Sequence, residues 1–257
     1  DVLGSRGLGD VYKRQDWGIS YAFNPILSYM ASEVLMKGMS LFSTDEWMLL
    51  ISARFVNVLL GALTAWVVLK TAKLLFPRRY AWMFTTLVVF LPGNVILYSY
   101  VNCDALAMCS TAIIFYSWVK AYKEGWSWTT CAVSAVGMGI CFLSYYNAYG
   151  FILMTFFYFV GTMLTDQSKP VKERWKEMIQ KGLFILVIVC VIALWWFIRN
   201  AILYGGDFLG RQASSASAEL YARYQYKPSH IKTFQKKGGS MSVSYTHLRA
   251  HETLRHL

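Results

Sequence analysis

Four short clusters place amide or ionisable side chains beside long apolar runs: Asn24-Pro25, Asn102-Cys103-Asp104, Tyr145-Tyr146-Asn147 and Arg199-Asn200. A charged group at membrane depth is costly, so each cluster asks for a physical reason. The guanidinium of Arg199 presents a planar fork that suits bidentate hydrogen bonding to a phosphate. The carboxylate of Asp104 can orient a donor or an acceptor hydroxyl. Asn24, Asn102, Asp104, Asn147, Arg199 and Asn200 form the candidate substrate-binding set, and Asp104 and Arg199 are predicted to line one cavity. Structural roles compete at each position. Asn102 or Asp104 can cap the helix that follows, Tyr145 and Tyr146 fit an interfacial aromatic belt, and Arg199 can anchor a helix end by snorkelling.

The elements that must carry these groups are apolar helices. Hydrophobic residues make up 56% of the 257-residue chain and aromatics 17%, with mean hydropathy +0.38. Such a composition excludes an ordinary soluble domain and predicts an all-α, multi-pass integral membrane protein. Runs of about 20 residues that can cross a hydrocarbon core recur, and we read about six of them. They are Leu49–Phe76, Tyr80–Tyr100, Ala105–Ala121, Trp128–Leu143, Ala148–Leu164 and Leu183–Tyr204. Pro92-Gly93 is predicted to kink the second. Residues 16–47 read as an outer segment with a juxtamembrane helix, 48–204 as the bundle, and 205–242 as an outer polar loop with a short helix at Ser217–Tyr226. The stretch "TDQSKPVKERWKEMIQK" reads as a basic amphipathic helix on the inner membrane face.

Lysine and arginine set the orientation, because they stay on the cytoplasmic side of short loops. Lys70, Lys73, Arg78 and Arg79 flank one turn, Lys120 and Lys123 another, and Lys169, Lys172, Arg174, Lys176 and Lys181 a third. The intervening turns "YSYVNCD" and "SYYNAYG" carry no basic residue, so the four clusters are predicted to face outward. Five of the basic residues behind the formal charge of +11 lie in the two end segments set apart below and most of the rest form this inside belt, facing anionic lipid, so no nucleic-acid partner is implied. Cys103, Cys109, Cys131, Cys141 and Cys190 lie in or beside spans without metal-ligand spacing and read as small buried apolar residues.

Both ends of the chain are set apart from the fold. "SRGLGDVYKRQ" and "VSYTHLRAHE" resemble the translated forward and reverse-complement strands of one sequencing-adapter oligonucleotide. Asp1–Gln15 and Val243–Leu257 are therefore read as adapter-derived and the protein between them as a fragment, truncated on both sides. The loose glycine pattern of the first segment lacks the preceding strand that a phosphate-binding turn needs. The zinc-like pair His247 and His251 lies in the second, and His230 is the histidine left in the remainder.

The run from Ile51 to Met108, with "VNCDAL" at Val101–Leu106 and "WWFIRNAILYGGDFLG" further on, resembles the multi-spanning, lipid-phosphosugar-dependent glycosyltransferases of the C superfamily. It is most similar to a bacterial branch with the pattern V-N-x-D-A-L. "FNPILSY", at Phe23–Tyr29, stands where that superfamily often carries His-Pro-Pro-Leu. Members usually place their catalytic acid in the first outer loop upstream of that position, and Asp16 is the acid found here between the adapter-like end and Asn24. Related sequences also carry a Thr-Lys pair where this chain has Tyr145-Tyr146-Asn147.

The resemblance implies transfer of a sugar from a polyprenyl-phosphate donor to a cell-envelope acceptor on the outer face of the bacterial cytoplasmic membrane. The catalytic base is expected upstream of the fragment. The partners implied are membrane lipid and the lipid-linked sugar. No cofactor is identified, and divalent-metal dependence, oligomeric state, sugar and acceptor stay open. A noncatalytic polyprenyl-lipid-binding or envelope scaffold protein is the alternative, with a transporter subunit the third reading.

Overall fold

In the computed structural model, residues 25–165, 170–222 and 227 are described. Asn24 and both adapter-like ends lie outside them. The chain divides into two compact units, one running from Asn24 to Leu209 and the other holding what flanks it. The described part of the second unit is chiefly a short helix, Arg211–Tyr221, which begins and ends earlier than the predicted Ser217–Tyr226.

The first unit is an all-α membrane bundle. Helix α1 spans Leu27–Ser40, α2 Glu46–Leu75, α3 Arg78–Val89, α4 Pro92–Leu97, α5 Asp104–Glu124, α6 Trp128–Phe142, α7 Tyr149–Thr165 and α8 Val171–Leu203. A 3-10 turn, Tyr146–Ala148, leads into α7. Four segments are long and apolar enough to cross a bilayer: α2, α5, α8, and α7 together with its 3-10 turn. Helix α6 is shorter and apolar. Local chemistry sets the helix starts. The Asp45 carboxylate accepts from the Met48 amide at 3.1 Å, and the Ser127 hydroxyl accepts from the Thr130 amide at 3.2 Å, each satisfying an orphan donor of a first turn.

The second predicted span, Tyr80–Tyr100, is broken rather than kinked. Proline lacks an N–H and its ring crowds the carbonyl four residues back, which here is Val88. The chain leaves the helix after Val89 and restarts with Pro92 in the first turn of α4. The Asn94 side-chain amide donates to the freed Val88 carbonyl at 2.8 Å and takes the place of the missing backbone bond. The basic stretch before the sixth span also differs from expectation. It forms the first turns of α8, continuous from Val171 to Leu203, because no proline interrupts it and Lys181 pairs with Glu177 one turn away.

Extensive packing runs from α1 to α2, α2 to α5, α5 to α6 and α6 to α8, while α7 touches the last three more lightly. Helix α6 sits between two neighbours at close range. A Cβ at Gly137 would lie 3.0 Å from Ile114 of α5, and one at Gly139 would lie 2.9 Å from Ile192 of α8. Small residues allow such approach where lipid supplies no hydrophobic push between helices. Buried hydroxyls return to carbonyls of their own helices, as Thr71 does to Val67 at 2.9 Å and Ser117 to Ile114 at 2.7 Å. Helix α7 is tied by indole N–H groups: Trp118 donates to Thr155 at 3.1 Å and Trp126 to Thr162 at 2.8 Å. Large apolar side chains such as Leu186, Val191 and Ile202 stay exposed on the outside, where a bilayer would cover them.

Candidate functional site

The Asn102 side chain is engaged in three directions. Its Oδ1 accepts from the Ala105 amide at 2.8 Å, capping α5, while Nδ2 donates to the carbonyls of Leu97 at 2.7 Å and Tyr100 at 2.9 Å. The amide therefore locks the turn between α4 and α5. Asp104, next along, opens α5 and is half-buried. No hydrogen bond or ion pair holds its carboxylate among the described residues. The favourable field of the helix N-terminus suits that negative charge. Cys103 beside it is buried; burial pushes its thiol up, the Asp104 charge adds to this, and a hydrogen bond with Tyr29 opposes it.

Two further residues belong to this end of the bundle and were not among the sequence candidates. Asn57 of α2 is fully buried and donates to the Tyr100 carbonyl, which it shares with Asn102. Its Oδ1 is buried without a partner among the described residues. Trp196 of α8 is also fully buried, and its indole N–H lacks a partner among them. A lone amide inside the apolar run "RFVNVLL" was the available signal for Asn57. Nothing in the tryptophan pair at Trp195-Trp196 signals which ring turns inward.

Arg199 stands one turn beyond Trp196 with its guanidinium carbon 4.9 Å from the centroid of that ring, a cation–π placement. Its Nη1 donates to Asn200 Oδ1 at 3.0 Å, and the fully buried Asn200 donates through Nδ2 to the Phe208 carbonyl at 3.4 Å. The Tyr146 hydroxyl holds the adjacent Leu209 carbonyl at 2.8 Å. One post-α8 turn is thus gripped by Asn200 and by the neighbour of Asn147. Asn147 itself is exposed on the 3-10 turn.

The start of α1 joins these groups to α5. Ser28 donates to the Asn102 carbonyl at 2.7 Å, while Ile26 and Leu27 pack on the cluster of Leu143, Ala193 and Trp196. Asp104, Asn147, Arg199 and Asn200 therefore share one end of the bundle. No ion pair joins Asp104 to Arg199, and α6 packs between the helices that carry them. Below this end, α6, α7 and α8 line a partly open apolar cavity of about 430 Å³. Phe142 lines it and also packs on the Trp196 cluster, so cavity and polar end are continuous through one ring. No group of His, Cys, Asp and Glu side chains with the makings of a metal site occurs among the described residues.

The bundle thus gathers one cation, one carboxylate and several amides at one end of its apolar helices. The family model described as dolichyl-phosphate-mannose-protein mannosyltransferase matches residues 28–196, and the chain belongs to this family of membrane glycosyltransferases that use a lipid-linked sugar donor. No curated protein and no solved structure matches the chain. The matched region runs from the first turn of α1 to Trp196 and stops just short of Arg199.

Proposed function

We propose that the chain forms the donor-holding part of a glycosyltransferase that moves a sugar from a polyprenyl phosphate to a cell-envelope acceptor on the outer face of a bacterial cytoplasmic membrane. The observation that carries this reading is the Trp196–Arg199–Asn200 group: a guanidinium over a buried indole and braced by a buried amide, with Phe142 packed on the Trp196 cluster and also lining an apolar cavity further along α8. Departure of a polyprenyl phosphate leaves negative charge on its oxygens, and a preorganised cation holds that charge best in a water-poor site. Arg199 binds the phosphate, and the isoprenoid chain descends past Phe142 between α6, α7 and α8. Asp104 orients the acceptor across the rim. The carboxylate that takes the acceptor proton is supplied upstream of α1.

The test is sugar transfer from a polyprenyl-phosphate donor in proteoliposomes, using the protein with its natural reading frame in place of both adapter-like ends. Arg199→Ala is expected to lower the turnover by about 10²–10³-fold, the usual effect of removing one group that stabilises developing charge. Membrane insertion should be unchanged, because the residue lies near the interface. Full activity in that variant would reduce Arg199 to a helix anchor. A protein that binds polyprenyl phosphate yet transfers nothing, with its natural sequence intact, would favour the scaffold reading.

A further inference from the structure

A second cavity, of about 480 Å³, opens between α2, α5 and α6 toward the opposite end of the bundle. Two of its lining residues are cations from different helices, Lys70 of α2 and Lys120 of α5. Both helices run away from the Asp104 end, so both lysines stand at the far mouth. The remainder of the wall is apolar or aromatic. Leu63 of α2 and Ile113 of α5 line the part farther from the lysine end, while Ala132 and Val133, early in α6, stand near the level of Lys120. The Lys70 ammonium lies 4.2 Å from the centroid of the Trp66 ring, which holds that flexible side chain at the cavity. Lys120 is only 20% exposed and has one distant carboxylate, Glu124 at 3.9 Å, itself 53% exposed and on the solvent side.

We infer that this cavity is a binding site for one anionic phospholipid of the leaflet at the lysine end. The headgroup phosphate lies between Lys70 and Lys120, and an acyl chain lies over Leu63, Ile113 and Val136. Charge and apolarity are segregated along the cavity in the order that a phospholipid presents them. The distance from Lys120 back to Ile113 is about 10 Å at helical rise, which covers part of the ~15 Å depth of one leaflet. Basic pockets between helices on the positively charged side of a membrane protein recognise anionic headgroups because the paired cations act in a partly desolvated setting. The site is independent of the donor site, which lies at the other end.

Native mass spectrometry of the chain with phosphatidylglycerol or phosphatidylcholine tests the proposal. One phosphatidylglycerol should be retained about 30-fold more tightly than phosphatidylcholine, the contribution of two lysines facing a net anionic headgroup, since the choline cation offsets the phosphate charge in the other lipid. The double variant Lys70→Gln/Lys120→Gln should bring the two lipids level. Lys172→Gln/Lys176→Gln, outside the cavity, should keep the preference. Val136→Trp, which fills the apolar part, should weaken retention of phosphatidylglycerol even if the lysine variant fails to fold. Equal binding of both lipids would overturn the proposal. So would loss of the preference in the Lys172/Lys176 control, or displacement of the lipid by millimolar inorganic phosphate alone.

Discussion

At the end of the bundle that carries Asp104 and Arg199, side-chain amides and hydroxyls hold the turns; at the opposite end proline, glycine and a helix cap shape them, with Arg174 donating to the Leu164 carbonyl and Trp126 to Thr162. Asn57 and Asn102 meet at the Tyr100 carbonyl, Ser28 reaches the Asn102 carbonyl, and Asn200 and Tyr146 grip Phe208 and Leu209. At the far end Pro77 precedes α3, Pro170 precedes α8, and Gly125 turns the chain at φ 77° before Ser127 caps α6. Backbone punctuation makes a turn without placing polar groups in lipid. Side-chain bonding buries polar atoms, and among the described residues Asn57 Oδ1 and Trp196 Nε1 at this end have no partner, as Arg174 Nε has none at the far end. Unsatisfied buried polar atoms are expensive, and a site that receives a polar ligand is a place where they persist.

The comparison breaks most completely if the two ends face the same compartment. Single cysteines at Asn147, exposed on the 3-10 turn, and at Lys172, exposed at the start of α8, should react with an impermeant thiol reagent from opposite sides of sealed membranes. Asn147→Cys should label from outside and Lys172→Cys from inside, as the distribution of lysine and arginine requires. Ser144 is fully buried and would report nothing by this method.

A smaller effect separates structure from chemistry within the polar end. Asn102→Ala removes a helix cap and two donations to carbonyls, and should destabilise the bundle by about 2–4 kcal/mol in reversible unfolding in mixed micelles. Asn147→Ala, at an exposed position, should change stability by less than about 0.5 kcal/mol. If both variants unfold alike, the rim is one structural network and Asn147 is no free contact. Smallest of all, Trp118→Phe keeps the ring but loses the bond to Thr155, and should cost only about 0.6 kcal/mol, typical of such a bond between membrane helices. A loss several times larger would show that α7 depends on polar ties rather than packing.

Hydropathy alone exposed most of the helices, because a bilayer filters sequence for apolar runs and leaves few alternatives to a helix. The break at Pro92 was legible as a disturbance but not as a full interruption. That outcome depends on Asn94 reaching Val88 and on Gly61 lying flat where a Cβ would sit 2.9 Å from the Tyr98 ring. Arg199 and Asp104 were legible as charges in unusual places, and the capping role of Asn102 follows from its spacing to Ala105. Their shared end also followed from counting crossings. What joins them did not, because the ties through Ile26, Leu27 and Ser28 link residues far apart in sequence and leave no local pattern. That Lys70 and Lys120 line one cavity was hidden for the same reason: each reads singly as part of a charged belt.

The central claim is that the donor phosphate is held at the Arg199 end. A polyprenyl phosphate bearing a photoreactive group near its phosphate, irradiated with the protein and mapped by peptide sequencing, tests it most directly. Labels should fall on the outer turns of α8 around Trp196–Asn200 and on Phe142, and Arg199→Gln should reduce them at least tenfold. Labels concentrated around Lys70 and Lys120, and unchanged in that variant, would contradict the account.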